Sequence, residues 1–343
     1  MSCLEPLSQY LNRRLLGQRE AVNEFATTIA VSLNGRAKEN RTKGFVFMAG
    51  PTGTGKTEMI NLTAKFLYPD DAPRRYHRFD MAEYMHADSV NRLLGCPGQP
   101  SLLGLAIDRL NEAAGPNGTA FLLFDEIEKA YKGLITVLLA FDAGRVTTND
   151  GQTRDLSRLF VFVTSNVGAA DAANMSNVPF AMIRDKVLKM AEKEFRKETV
   201  ARFDAKIVMR LLSLDVQREI TTRLLSHEVT AQQNHYLRPI QFDEGVINFL
   251  IRKGFTPDMG ARNLRSTVER QVGVALLPWE GCSDDEASGD RYSRALLLRE
   301  DRSEQRLVAV KVADEERAPE LQVVLREEPV DSALVISMQD ESR

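Results

Sequence analysis

Apolar residues gather along this chain in three unbroken runs, Phe45-Val46-Phe47-Met48, Phe121-Leu122-Leu123-Phe124 and Leu159-Phe160-Val161-Phe162-Val163. None alternates with polar positions, so each reads as a strand covered on both faces. Stretches of helical character, 58–67 and 129–141, lie in the connections between them. A strand-helix-strand order of this kind predicts a mainly parallel sheet, to which 207–211 offers a further strand.

On either side the pattern changes. Leu11, Leu15 and Leu16 precede a break at Gly17, after which Ala21, Val22, Phe25 and Ile29 recur at helical spacing; the polar stretch 34–43 reads as a loop. Beyond Leu212 come amphipathic helices at 216–236, 245–253 and 261–277, then a short β region at 294–312. Asp150-Gly151, between Arg145-Val146-Thr147 and Thr153-Arg154-Asp155, marks a tight hairpin, either a functional projection or a plain surface turn. The expected layout is a large α/β domain over 1–212, a smaller lid over 213–312, and a loosely held acidic tail over 313–343.

Composition narrows the class. A chain of 343 residues with 43% apolar content supports one large core and a smaller domain. A formal net charge of -3 supplies no positive field for phosphate backbones or anionic lipid, so neither nucleic acid nor membrane is an expected partner. Cys3, Cys96 and Cys282 are scattered and share no ligand spacing with His77, His86, His227 or His235, which predicts reduced thiols and no zinc. The first ten residues lack a basic leader, and no run approaches the roughly 20 apolar residues of a membrane helix, so a cytoplasmic protein is expected.

The chemistry sits at the ends of the apolar runs. Gly50-Pro51-Thr52-Gly53-Thr54-Gly55-Lys56-Thr57 follows the first run and precedes a helical segment. Glycines at this spacing let backbone N–H groups turn toward phosphates, the helix start adds a positive dipole end, and Lys56 adds an ammonium. Thr57 offers a hydroxyl to magnesium. Asp125 and Glu126 close the second run, Asp125 to hold magnesium and Glu126 to orient the attacking water. Asn166, after Thr164-Ser165, brings an uncharged amide beside them at the end of the third run. Glu128 and Lys129 read as surface residues.

With these motifs the chain resembles the Clp-type AAA+ ATPases, most closely the second ATPase module of the ClpB and ClpA unfoldases, over about 15–312. The likeness rests also on Leu16-Gly17-Gln18-Arg19-Glu20-Ala21-Val22, Asp80-Met81-Ala82-Glu83-Tyr84-Met85, Asp125-Glu126-Ile127-Glu128-Lys129-Ala130, Asp142-Ala143-Gly144-Arg145, Arg202-Phe203-Asp204 and Gly260-Ala261-Arg262. It implies an AAA+ P-loop NTPase fold, with a parallel five-stranded sheet of order 5-1-4-3-2 and a mainly helical C-terminal lid. It further implies ATP and Mg2+ as ligands, a six-membered homo-oligomeric ring with a heteromeric one left open, and a protein or protein complex as substrate. By the same resemblance Leu15, Leu16, Gly17 and Gln18 line the adenine pocket, and Asn166 is sensor 1. Arg262 is the lid arginine called sensor 2, and Arg202 is the arginine finger offered to a neighbour.

The chain also departs from that family. Threading relatives carry an aromatic Gly-Tyr-Val-Gly loop before the acidic strand, whereas here no aromatic residue lies between Tyr84 and Phe121. Any grip on a polypeptide would come from the leucines that follow Gly95-Cys96-Pro97-Gly98-Gln99-Pro100. The segment 167–194 lacks the Ile-Gly-Leu/Phe tripeptide of protease-docking relatives, so no peptidase partner is expected. No amino-terminal substrate domain, coiled-coil insertion or first ATPase module is expected either, because the likeness starts almost at Met1.

Overall fold

The computed structural model describes residues 4–35, 41–138, 141–169, 178–236, 239–256, 259–279 and 296–311. The chain divides into two compact units, 1–211 and 212–343. In the first, strands β1 (Gly44–Ala49), β2 (Tyr76–Asp80) and β3 (Ala120–Asp125) are followed by a hairpin of β4 (Arg145–Thr147) and β5 (Thr153–Asp155). Strands β6 (Leu159–Ser165) and β7 (Ala205–Val208) complete the unit.

Five of these pair in parallel in the order β2-β3-β6-β1-β7. Numbered along the chain without the hairpin, that is 5-1-4-3-2, the order of the AAA+ fold.

The sheet is held from both faces, as the unbroken apolar runs require. Every residue of β1, β3 and β6 is buried. On one face Phe45, Phe47, Leu122, Phe124, Val161 and Val163 pack with Ile107 and Leu110 of the helix Leu102–Ala114. On the other, Val46, Met48, Phe121, Leu123, Phe160 and Phe162 pack with the helices Leu4–Arg14 and Arg19–Asn34 through Leu7, Leu11, Phe25 and Ile29. Phe121, Phe160 and Phe162 form a mutually stacked trio, with ring centroids 5.6, 6.1 and 6.2 Å apart. Each buried aromatic or aliphatic side chain contributes roughly 1.5–3 kcal/mol, so these layers fix the sheet firmly. Because the strands run parallel, Ala49, Asp125 and Ser165 come to one edge, where ligands collect in open α/β sheets.

Some elements differ from the sequence expectation. The edge strand β2 escaped it, because only Phe79 in that strand is fully buried. Strand β7 begins two residues before the expected 207–211 and ends at Val208. The helix expected over 129–141 is shorter, Lys132–Leu138, set between the 3-10 turns Ile127–Lys129 and Phe141–Ala143. The Asp150-Gly151 hairpin forms as read, with Arg145 opposite Asp155, Val146 opposite Arg154 and Thr147 opposite Thr153.

The second unit packs the helices Leu214–Tyr236, Glu244–Gly254 and Leu264–Leu276 with a three-stranded sheet. Its strands are β8 (Ile240–Phe242), β9 (Leu296–Asp301) and β10 (Arg306–Lys311) in the order β10-β9-β8. Leu225, Ile240, Leu250, Val268, Val272, Leu296 and Leu298 form its core. β8, three residues long, is too short to show in an apolar pattern. The tail 313–343, Cys3 and Cys282 lie outside the described residues. Cys96 is a free thiol. No helix among the described residues is long and apolar enough to cross a membrane.

Candidate nucleotide site

The loop after β1 is shaped by glycine backbone. Gly50, Gly53 and Gly55 hold φ of 144°, 70° and 99°, values that L side chains rarely adopt. A Cβ on Gly50 would stand 2.8 Å from the carbonyl oxygen of Met209, and one on Gly55 would stand 2.9 Å from Cδ2 of Leu15. The loop is thus seated against the end of β7 and the first helical region, and its N–H groups lead into the helix Lys56–Leu67. A helix start with backbone donors around it suits an anion.

Lys56 is 93% buried by its 7% exposure, an arrangement a lysine reaches only with partners. Its Nζ donates to the carbonyl oxygens of Gly50 at 2.7 Å and Pro51 at 2.9 Å, and to Oδ1 of Asn166 at 2.8 Å. The ammonium is therefore anchored to the loop at one side and to the end of β6 at the other. Thr54 closes the loop by donating to the carbonyl oxygen of Pro51 at 2.7 Å.

Asp125 ends β3 and is 3% exposed. Its carboxylate accepts the Thr57 hydroxyl at 3.1 Å and the Thr164 hydroxyl, and pairs with Nε of Arg78 at 2.8 Å. Thr57 and Asp125 are hard oxygen donors brought together at the loop's floor, the donor chemistry that magnesium takes. Arg78 lies on strand β2, which has no apolar run to mark it; its pairing with Asp125 bridges β2 and β3, and it also meets Asp80 Oδ2 of its own strand at 3.4 Å.

Glu126 follows in the left-handed region with φ 56° and ψ 53°, a conformation that costs a non-glycine residue about 1 kcal/mol. Its N–H donates to Oγ1 of Thr164 at 3.0 Å, which holds the turn in place. The half-buried side chain is thereby set just beyond the strand end. Glu128 corrects the surface reading: it is half-buried, and its Oε1 accepts the N–H of Asn166 at 3.0 Å. Lys129 is exposed, as expected.

The remaining sequence-derived residues fall into three groups. Leu15 is buried against Gly55 and Leu16 is half-buried, with Gly17 turning the chain at φ 74°. Gln18 is 2% exposed, and both ends of its amide are taken by the backbone of Arg210, at 2.9 and 3.0 Å. It thus ties this turn to the segment after β7. Arg202 is half-exposed and pairs with Asp142 at 3.2 Å. Arg262 is exposed ahead of the helix Leu264–Leu276 in the second unit. Within the first unit, then, the structure brings together two hydrogen-bonded pairs, Lys56 with Asn166 and Thr57 with Asp125, on consecutive loop residues, with Glu126 next to Asp125.

In place of a projecting aromatic loop, the chain forms a closed turn from Cys96 to Gln99. The N–H of Gln99 donates to the carbonyl of Cys96 at 2.9 Å, and Gly98 holds φ 84°. Pro97 to Pro100 are exposed, and Ser101 caps the next helix by accepting the Gly104 N–H at 2.9 Å.

Comparison with known proteins finds two families in succession. The family described as AAA domain (Cdc48 subfamily) matches residues 41–206, and the C-terminal D2-small domain of ClpB protein matches residues 212–277. Heat shock protein 100 of Trypanosoma brucei brucei is 36% identical over 275 residues, covering 78% of this chain and 30% of its own length. Chaperone protein ClpB 1 of Nostoc sp. is 32% identical over 270 residues, with the same shares. Chaperone protein ClpB of Vibrio vulnificus is 31% identical over 269 residues, 78% of this chain and 31% of its own. The chain spans under a third of the length of these relatives.

Proposed function

Because this chain belongs to the Clp-type AAA+ ATPases, an AAA domain followed by a ClpB-type D2-small domain, we propose that it binds and hydrolyses ATP between subunits of a ring to remodel proteins or protein assemblies. The observation that carries the chemical part is the convergence at the sheet edge of two hydrogen-bonded pairs, Lys56 with Asn166 and Thr57 with Asp125.

The residues divide the work as follows. The N–H groups of Gly53 to Thr57 and the Lys56 ammonium bind the phosphates, Lys56 exchanging its carbonyl partners for phosphate oxygens. Thr57 and Asp125 would hold magnesium, which supplies charge neutralisation across the phosphates when bound. Glu126 orients the attacking water and polarises its O–H bond; its strained turn, pinned by Thr164, keeps the carboxylate in place. Asn166 reads the γ-phosphate with an amide that adds no charge. Leu15 to Gln18 border the base, Arg262 of the second unit has the sensor role that the resemblance gives it, and a neighbour's Arg202 completes the charge stabilisation.

Two expectations follow for the ring. Turnover per chain rises with chain concentration, and Arg202→Ala lowers it by roughly 10³-fold, the size an arginine finger supplies in P-loop enzymes. Steady-state turnover across a dilution series checks both. Turnover independent of concentration and untouched by Arg202→Ala would contradict shared sites. The remodelling part is read with a folded fluorescent reporter protein, which loses its signal with the parent and ATP but not with Glu126→Gln.

A second reading is favoured by the closed Cys96–Gln99 turn: ATP binding assembles a scaffold whose slow hydrolysis times its release. Under that reading Glu126→Gln keeps the biological output while the reporter stays folded with either chain.

A further inference from the structure

The turn after β3 buries a carboxylate for which the reaction scheme above has no use. Glu128 lies in the 3-10 turn Ile127–Lys129, and its Oε1 accepts the Asn166 N–H at 3.0 Å. Its Oε2 is buried and meets no donor among the described residues. An unmet buried carboxylate oxygen opposes folding, so a glutamate here is a poor choice for packing alone.

Three hydrogen bonds, made by side chains from both sides, join the end of β6 to Asp125 and the acidic turn after it. From β6, Thr164 Oγ1 accepts the Glu126 N–H at 3.0 Å and donates to Asp125. From the turn, Glu128 reaches back to Asn166. Asn166 stands one residue past the last strand residue, Ser165, where the sheet no longer pairs its N–H. Its side chain is held separately: among the described residues, Oδ1 accepts a hydrogen bond from Lys56 at 2.8 Å and no other. A sensor of phosphate needs this combination of a fixed backbone and a side chain that can exchange partners.

We propose that Glu128 is a positioning residue for phosphoryl transfer. It holds the Asn166 backbone so that the amide can leave Lys56 and meet the γ-phosphate without movement of the strand end. The inference rests on the ATPase reading above. It assigns Glu128 no contact with nucleotide.

The test compares Glu128→Met, which keeps length and packing but lacks the acceptor, with Glu128→Gln, whose amide oxygen can take the same N–H. In Glu128→Met, kcat falls about 10-fold while KM for ATP stays within about twofold, the scale seen when an outer partner of a site residue is removed. Glu128→Gln stays near the parent, and the Glu128→Met, Asn166→Ala double variant is no slower than Asn166→Ala alone. Parent-like turnover in Glu128→Met overturns the inference, as does a loss that adds in full to that of Asn166→Ala. Hydrogen exchange on the parent chain gives an independent reading: the Asn166 amide is protected, and an unprotected amide overturns the inference even if Glu128→Met fails to fold. An inactive parent would sink the ATPase reading and the positioning role together. An active parent matched by Glu128→Met would sink the positioning role alone.

Discussion

At Gly50 the backbone turns out of β1 with φ 144°, a value open to glycine, and the neighbouring Met209 carbonyl leaves no room for a Cβ. Gly50→Ala is expected to lower stability by about 2 kcal/mol and to weaken nucleotide binding, because relief of the strain must move the loop. Thermal melting with and without nucleotide checks both; an unchanged melting temperature with unchanged binding would show that the loop absorbs the methyl. Lys56, Thr57, Asp125 and Asn166 were legible because each stands at a fixed offset from an apolar run, and parallel pairing brings such run ends together. Arg78 and Glu128 were not. Arg78 lies on a strand without an apolar signature, and a glutamate after Asp125-Glu126 looks like one more acid at a helix start. Only three dimensions show that its carboxylate turns back to Asn166.

Among the elements, the fully buried strands announce themselves, whereas β2 depends on its place at the sheet edge. Its residues are mostly half-buried, and His77 packs edge-on to Phe79 at 4.5 Å. Burial, with the charge of Arg109 second, holds the His77 pKa below its ordinary 6.5. Below 6.5 the unfolded chain binds a proton that the folded chain refuses, so this histidine removes stability as pH falls from 6.5 toward its folded value and removes none above. Melting temperatures at pH 7.5 and 5.5 should therefore differ less in His77→Gln than in the parent. An equal difference in both would contradict the assignment. The β4–β5 hairpin was legible from Asp150-Gly151, but its anchoring was not. Arg154, 7% exposed, pairs with Asp150 and Asp108 at 3.0 Å each and so ties the hairpin to the helix Leu102–Ala114. The hydrogen bonding from Arg154, with that from the Thr148 hydroxyl second, holds the Asp150 carboxyl well below the usual carboxylate range. An arginine at the inward position of a three-residue strand carries no periodic signal, since a single buried position cannot establish a period.

For the whole molecule, the strand order and the succession of an AAA domain and a D2-small domain came from resemblance, which composition and apolar spacing could not supply. Periodicity reports which face of an element is covered and is silent on which strand lies beside which. The proposed ring, the neighbour's Arg202 and the protein substrate belong to this largest scale, where the closed Cys96–Gln99 turn separates this chain from aromatic-loop threaders. All of them presuppose that the cluster at the sheet edge hydrolyses ATP. The most direct measurement is magnesium-dependent ATP turnover by the parent and by Glu126→Gln, with ATP affinity measured on the same samples. The account expects turnover in the parent and a fall of roughly 10²-fold or more in Glu126→Gln, with affinity held within about threefold. Equal turnover in the two chains, or none in a parent that binds ATP, would contradict it.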